Sequence, residues 1–134
     1  MLVPHGTVIA VVDGEKFELH RNAGNEAAPE IVRMEAPKLR EQNRDSGARH
    51  ISSAANPSGH VLDEDAHAAA VAAWLNQQAV SHNIEHLIVI APPRTLGELR
   101  RRYDSALSAT LLCELDKEMT GRGAQDILEA LRSK

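Results

Sequence analysis

Apolar and polar positions along this 134-residue chain fall into short apolar runs separated by turns, joined later by longer amphipathic stretches. Residues 7–12 contain the nearly unbroken run Val8-Ile9-Ala10-Val11-Val12, which has the length of a strand. Its continuity predicts burial on both faces. Asp13-Gly14 follows, a strong hairpin signal. Residues 16–20 then alternate, with Phe17 and Leu19 on one face and Glu18 and His20 on the other. Residues 22–29 are small and polar and predict a loop, and residues 30–34 predict a third short strand.

Residues 36–62 show no period and hold two prolines, two glycines and many polar residues. Loops longer than about 12–15 residues are uncommon in compact domains and are usually functional or disordered. Both readings of 36–62 stay open at this stage.

The second half is more regular. Residues 63–81 predict a helix whose apolar stripe is Val71, Trp74, Leu75 and Ala79, with Asp63, Glu64 and Asp65 in its first turn. Residues 86–91 are again continuously apolar and predict an interior, parallel strand ended by Pro92-Pro93. A helix is expected from Thr95, with Thr95 and Glu98 spaced as a capping box. Its buried face would be Leu96, Leu99, Tyr103 and Ala106 or Leu107. Residues 110–115 predict a fifth strand and residues 124–132 a closing helix with Ile127, Leu128 and Leu131 inward. The fold class is therefore α/β: one domain over 1–134 with a single mixed β-sheet of about five strands, in the order hairpin, then β-α-β-α-β-α, with helices on its faces.

Composition narrows the chemistry. Phe17, Trp74 and Tyr103 are the only aromatics, so modules that stack bases on aromatic platforms are nearly excluded. A single cysteine excludes a disulfide framework and any cysteine-based zinc site. Neither a leader sequence nor a membrane span is evident, so a soluble cytoplasmic protein without membrane contact is expected.

The net charge of −4 conceals segregation. Segment 36–62 sets Lys38, Arg40, Arg44 and Arg49 against Glu41 and Asp45, and segment 94–102 sets Arg94, Arg100, Arg101 and Arg102 against Glu98. Two basic patches thus lie on an otherwise acidic chain. Localised positive charge steers anionic partners, although solvated basic faces would look the same. The arginines could follow an RNA backbone, which positions a protein without reading sequence.

Other constellations carry less. The junction at 91–98 could bind a small anion through Arg94 and the helix start at Thr95–Gly97, because ligands of open α/β sheets bind beyond the carboxyl ends of the strands. In the other reading Thr95 only caps the helix and Gly97 only permits close packing. Asp63, Glu64, Asp65 and His67 are spaced for a metal, but Asp63 and Asp65 fit helix-start acids better, and His67 lies four residues before Val71 on the buried stripe. Cys113 sits in an apolar strand as a small hydrophobe. No nucleophile elbow, P-loop, dinucleotide fingerprint or zinc-protease motif is present, so no cofactor, metal or catalytic residue is implied.

Residues 2–21 (LVPHGTVIAVVDGEKFELHR), Arg40-Glu41, Arg49, residues 88–99 (IVIAPPRTLGEL), residues 114–117, Met119-Thr120 and Asp126-Ile127 together resemble a bacterial family labelled "protein required for attachment to host cells". That family is similar, in the order of its elements, to the middle domain of archaeal and eukaryotic class-1 peptide-chain release factors. The resemblance implies that fold and a ribosome, tRNA or rRNA setting. In those factors the long loop carries a Gly-Gly-Gln tripeptide that promotes peptidyl-tRNA hydrolysis. Segment 36–62 has no such tripeptide, and its one glutamine is Gln42, so hydrolysis is not implied. The expectation is a non-catalytic binding protein that uses Arg40, Arg44, Arg49, Arg94, Thr95, Gly97, Arg100, Arg101 and Arg102. The alternatives are a small-anion site or enzyme at 91–98, or a protein-interaction module.

Overall fold

The structure, a computed structural model, describes residues 2–39 and 57–134, with side chains in the second segment from residue 63 onward. The strands are β1 (Val8–Val12), β2 (Phe17–Asn22), β3 (Ile31–Met34), β4 (Leu87–Ile90) and β5 (Leu111–Leu115). The helices are α1 (Pro57–Val80), α2 (Pro93–Arg100), α3 (Ser105–Thr110) and α4 (Ala124–Arg132). The strands form one mixed sheet in the order β3-β2-β1-β4-β5. The β1–β2 and β2–β3 pairs are antiparallel, whereas β1–β4 and β4–β5 are parallel. β1 and β4 are interior and buried throughout, as their unbroken apolar runs require.

Two apolar layers cover the sheet. On one face Val8, Ala10, Val12, Leu19, Leu87 and Val89 meet α1, α2 and α3 through Val71, Leu75, Leu96, Leu99 and Leu107. On the other, Ile9, Val11, Ile88 and Ile90 meet α4 through Ile127 and Leu131. Trp74 is only partly buried and meets Phe17 edge-to-face, with ring centroids 5.7 Å apart.

The hairpin forms by side-chain chemistry. Val12 pairs with Phe17, so residues 13–16 make the turn, and Gly14 does not take a positive φ. The Asp13 carboxylate accepts the backbone N–H groups of Glu15 and Lys16 instead, as an aspartate at a turn start does.

Several expectations are corrected. Residues 57–62, expected as part of the long loop, form the start of α1, while Arg40, Arg44 and Arg49 lie outside the described residues. Asp63, Glu64 and Asp65 therefore sit beyond the first turn and do not face the dipole there. Thr95 caps nothing: α2 starts two residues earlier at Pro93, without a side-chain cap, and Thr95 is buried inside it. Proline is preorganised for a first helical position, which moves the start. The stripe from Leu96 to Leu107 also spans two helices. Asp104 accepts the Leu107 N–H at 2.9 Å and starts α3. Asn76 of α1 satisfies the break, donating to the Arg102 carbonyl at 2.8 Å and accepting the Asp104 N–H at 3.1 Å. The strand expected from residue 110 begins at Leu111 because Thr110 belongs to α3.

Glu18 and His20, expected on a polar face, are buried. Their face of β2 turns toward the α4 layer, as the pairing of Val11 with Glu18 and of Ile9 with His20 requires.

Candidate functional site

The parallel strands β1, β4 and β5 all deliver their carboxyl ends to one edge of the sheet. An open cleft of about 460 Å³ lies there. The hairpin turn lines it with Asp13, Gly14, Glu15 and Lys16; α1 adds Glu64, the β4–α2 junction adds Pro92, Arg94 and Thr95, and the segment after β5 adds Glu118. The location is where open α/β sheets bind ligands. Its charge is mixed with an acidic excess, four carboxylates facing Lys16 and Arg94.

Most of these groups already have partners. Arg94 Nη2 donates to Asp65 Oδ1 at 3.2 Å, and Arg94 Nε lies 3.8 Å from Glu64 Oε2, so the arginine ties α2 to α1. His67 Nε2 meets the Lys16 carbonyl at 3.0 Å, which engages the histidine of the suggested metal cluster. Asp13 Oδ2 accepts the Thr120 hydroxyl at 2.6 Å. Burial raises the Asp13 pKa, but that hydrogen bond and the two turn amides outweigh it and hold the carboxyl below its ordinary range. Asp13 is therefore a fixed anion at the cleft wall.

The second feature is the outer surface of α2 and the residues that follow it. Arg100 Nε donates to Glu114 Oε1 of β5 at 2.9 Å, and the Tyr103 hydroxyl donates to Glu114 Oε2 at 3.1 Å. Burial beside that carboxylate pushes the Tyr103 pKa well up, so the phenol stays a donor. Glu98 serves two cations: Arg101 Nη1 at 3.3 Å and Arg102 Nη2 at 3.9 Å. The arginine side chains remain open to solvent, 58% exposed at Arg100, 76% at Arg101 and 44% at Arg102. Each expected cation of segment 94–102 thus has a carboxylate neighbour and an exposed guanidinium.

Arg94 and Thr95 border the cleft, whereas Arg100, Arg101 and Arg102 carry the outer surface. Gly97 permits no close packing among the described residues: a β-carbon there would meet none of their atoms within 4 Å. Cys113 is half-buried, and burial raises its thiol pKa, which disfavours a nucleophilic thiolate.

Sequence reasoning missed the carboxylates that answer the arginines. The Glu98 pairs were readable, because residues three and four apart face each other on a helix. Glu64, Asp65 and Glu114 come from other elements and had no local signal.

Among the described residues, no helix is long and apolar enough to cross a membrane. A comparison with curated proteins found no match. A family model spans nearly the whole chain, matching residues 8–131 and therefore every strand and almost all of α4. With a match of that extent, the chain belongs to the family described as "Protein required for attachment to host cells".

Proposed function

We propose that this host-attachment family member is a non-catalytic binding protein that docks on the phosphate backbone of RNA, with the ribosome as its setting. The observation that carries the reading is the exposure of Arg100, Arg101 and Arg102 on one short stretch of surface. The guanidinium groups face solvent, so phosphate oxygens can bind them alongside Glu98 and Glu114. Arginine also presents a fork suited to phosphate. Arg40, Arg44 and Arg49, outside the described residues, enter this reading by their charge alone. The ribosomal setting rests on the resemblance of this order of elements to that of release-factor middle domains. Phosphate and shape dominate recognition, because three aromatics offer little base stacking. An effect on attachment to host cells would then follow from RNA binding.

Ribosome co-sedimentation tests this reading. Association at low salt and release at high salt are expected, because displaced counterions make phosphate contacts salt-dependent. The double substitution Arg101→Ala/Arg102→Ala should lower the salt slope by about 2 and the low-salt affinity at least about tenfold. No association at either salt, or equal binding by the variant, refutes it.

The cleft beside Arg94 favours a second reading, a small-anion site or enzyme at 91–98. Inorganic phosphate would then raise the melting temperature, and Arg94→Ala would abolish the rise. Its weakness is physical: Arg94 is paired to Glu64 and Asp65, and the other cleft carboxylates repel an anion.

A further inference from the structure

The face of β2 that meets α4 carries a buried polar cluster that neither reading above uses. His20 is only 3% exposed, and neither ring nitrogen has a hydrogen-bond partner among the described residues. A neutral imidazole holds one donor and one acceptor, and leaving them unmet in an apolar layer is costly. Glu18, two residues earlier on the same face, is also buried. Its carboxylate accepts the Gly121 N–H, at 3.3 Å to Oε1 and 3.1 Å to Oε2. Glu18 Oε1 lies 3.9 Å from His20 Nε2, just beyond hydrogen-bond reach.

Gly121 belongs to the segment between β5 and α4, and it sits at φ +81°, where glycine is favoured. The same segment supplies Glu118 to the cleft, and Thr120 anchors it to Asp13 of the hairpin. Two carboxylates of the β1–β2 hairpin therefore hold this wall: Asp13 from the cleft side and Glu18 from beneath.

We infer that Glu18 and His20 form a pH-sensitive clasp, in which protonation of His20 draws the Glu18 carboxylate away from the Gly121 amide and loosens the segment between β5 and α4 at Gly121. Protonation turns an imidazole without partners into a cation beside a buried carboxylate. Their attraction in a poorly solvated layer exceeds that of an amide for the same carboxylate. Only a small closure brings Nε2 and Oε1 into bonding range. Among the described residues, the other charged group acting on the ring is Arg33 of β3, directly across from His20, whose guanidinium lies 3.7 Å from Glu18. β1 presents Ile9 to the ring, and α4 brings Ile127 and Leu131 to the same layer. Thr120 keeps its bond to the ionised Asp13, so the wall is expected to move at Gly121 while its neighbour stays anchored.

Burial lowers the His20 pKa, Glu18 partly restores it and Arg33 opposes, leaving it below the ordinary 6.5. The unfolded chain therefore takes up this proton before the fold does. The fold is expected to lose stability as pH falls below 6.5, with the loss levelling off under the folded-state midpoint.

NMR on the isotope-labelled full chain between pH 8 and 5 tests the clasp. The His20 ring should titrate with a midpoint below 6.5, and the Gly121 amide shift should follow the same midpoint. Gly121 exchange, corrected for its intrinsic pH dependence, should rise at least about tenfold across it. In His20→Phe the Gly121 amide should stay protected throughout. Should that variant not fold, Glu18→Gln keeps an oxygen for Gly121 but removes the charge, so the His20 midpoint should fall further and Gly121 should lose its pH response. A wild-type His20 that stays neutral until acid unfolding overturns the inference, as does a Gly121 amide indifferent to a His20 titration or a Gly121 response that persists in either variant. The RNA-binding surface is not involved, so the clasp stands or fails apart from that reading.

Discussion

Asn22→Ala is expected to destabilise the protein by about 2–4 kcal/mol, far beyond what one polar side chain normally contributes. Asn22 ends β2 fully buried. Its Oδ1 accepts the N–H groups of Gly24 and Glu30, both at 2.9 Å. Its Nδ2 donates to the Val3 carbonyl at 2.9 Å, with longer contacts to the Pro4 and Asn25 carbonyls at 3.4 Å. One amide thus ties the segment before β1 to the loop between β2 and β3. Alanine would remove every one of these contacts and leave the buried Val3 carbonyl and two part-buried amides without them. Each unmet group costs about 1–3 kcal/mol, reduced where water can enter. Close packing leaves little room for relaxation: a β-carbon on Gly24 would already overlap the Ala28 carbonyl oxygen. Urea unfolding measures the loss. Asn25→Ala is the control, because Asn25 Oδ1 serves only the exposed Ala28 N–H among its side-chain bonds, and it should cost less than about 1 kcal/mol. Equal effects of the two substitutions would refute the role given to Asn22.

Leu99→Ala should cost about 3–4 kcal/mol, within the range of buried leucine truncations. The helix α2 has eight residues and buries only Thr95, Leu96 and Leu99. Leu99 is fully buried between the sheet and the neighbouring helices. A helix this short is not stable alone, so its packing determines whether it forms. Its surface ion pairs add little. The substitution should therefore loosen the helix carrying Arg100 as well as lower global stability. Denaturant unfolding reports the loss of global stability, and faster exchange of the α2 amides below the global transition reports the loosening of the helix. A loss under about 1 kcal/mol would mean that α2 is held by something other than its apolar face.

Both substitutions fall where the sequence was informative to different degrees. The leucine stripe containing Leu99 was visible as periodicity, and the deduced buried face holds apart from the break at 101–104. Asn22 looked like the first residue of a polar loop. Nothing local distinguishes a solvated asparagine from one that satisfies backbone groups 19 residues away. The same holds for the candidate site. The basic character of 94–102 was plain, but the acids that pair with it come from α1 and β5.

The apolar patterning was enough to place the strands, the full burial of β1 and β4 and most of the helix faces, because continuous apolar runs and 3.6-residue stripes bury in only a few ways. It also determined the α/β class, since strands separated by helices pair in parallel through crossovers. Tertiary structure alone decided three things. It placed α1's acids against Arg94, it put the carboxyl ends of β1, β4 and β5 around one cleft, and it buried Glu18 and His20. Glu18 finds its partner at Gly121, 103 residues onward. The cost of burying the Glu18 carboxylate is offset because a distant group meets it, and that distant group is known only once the chain has closed on itself.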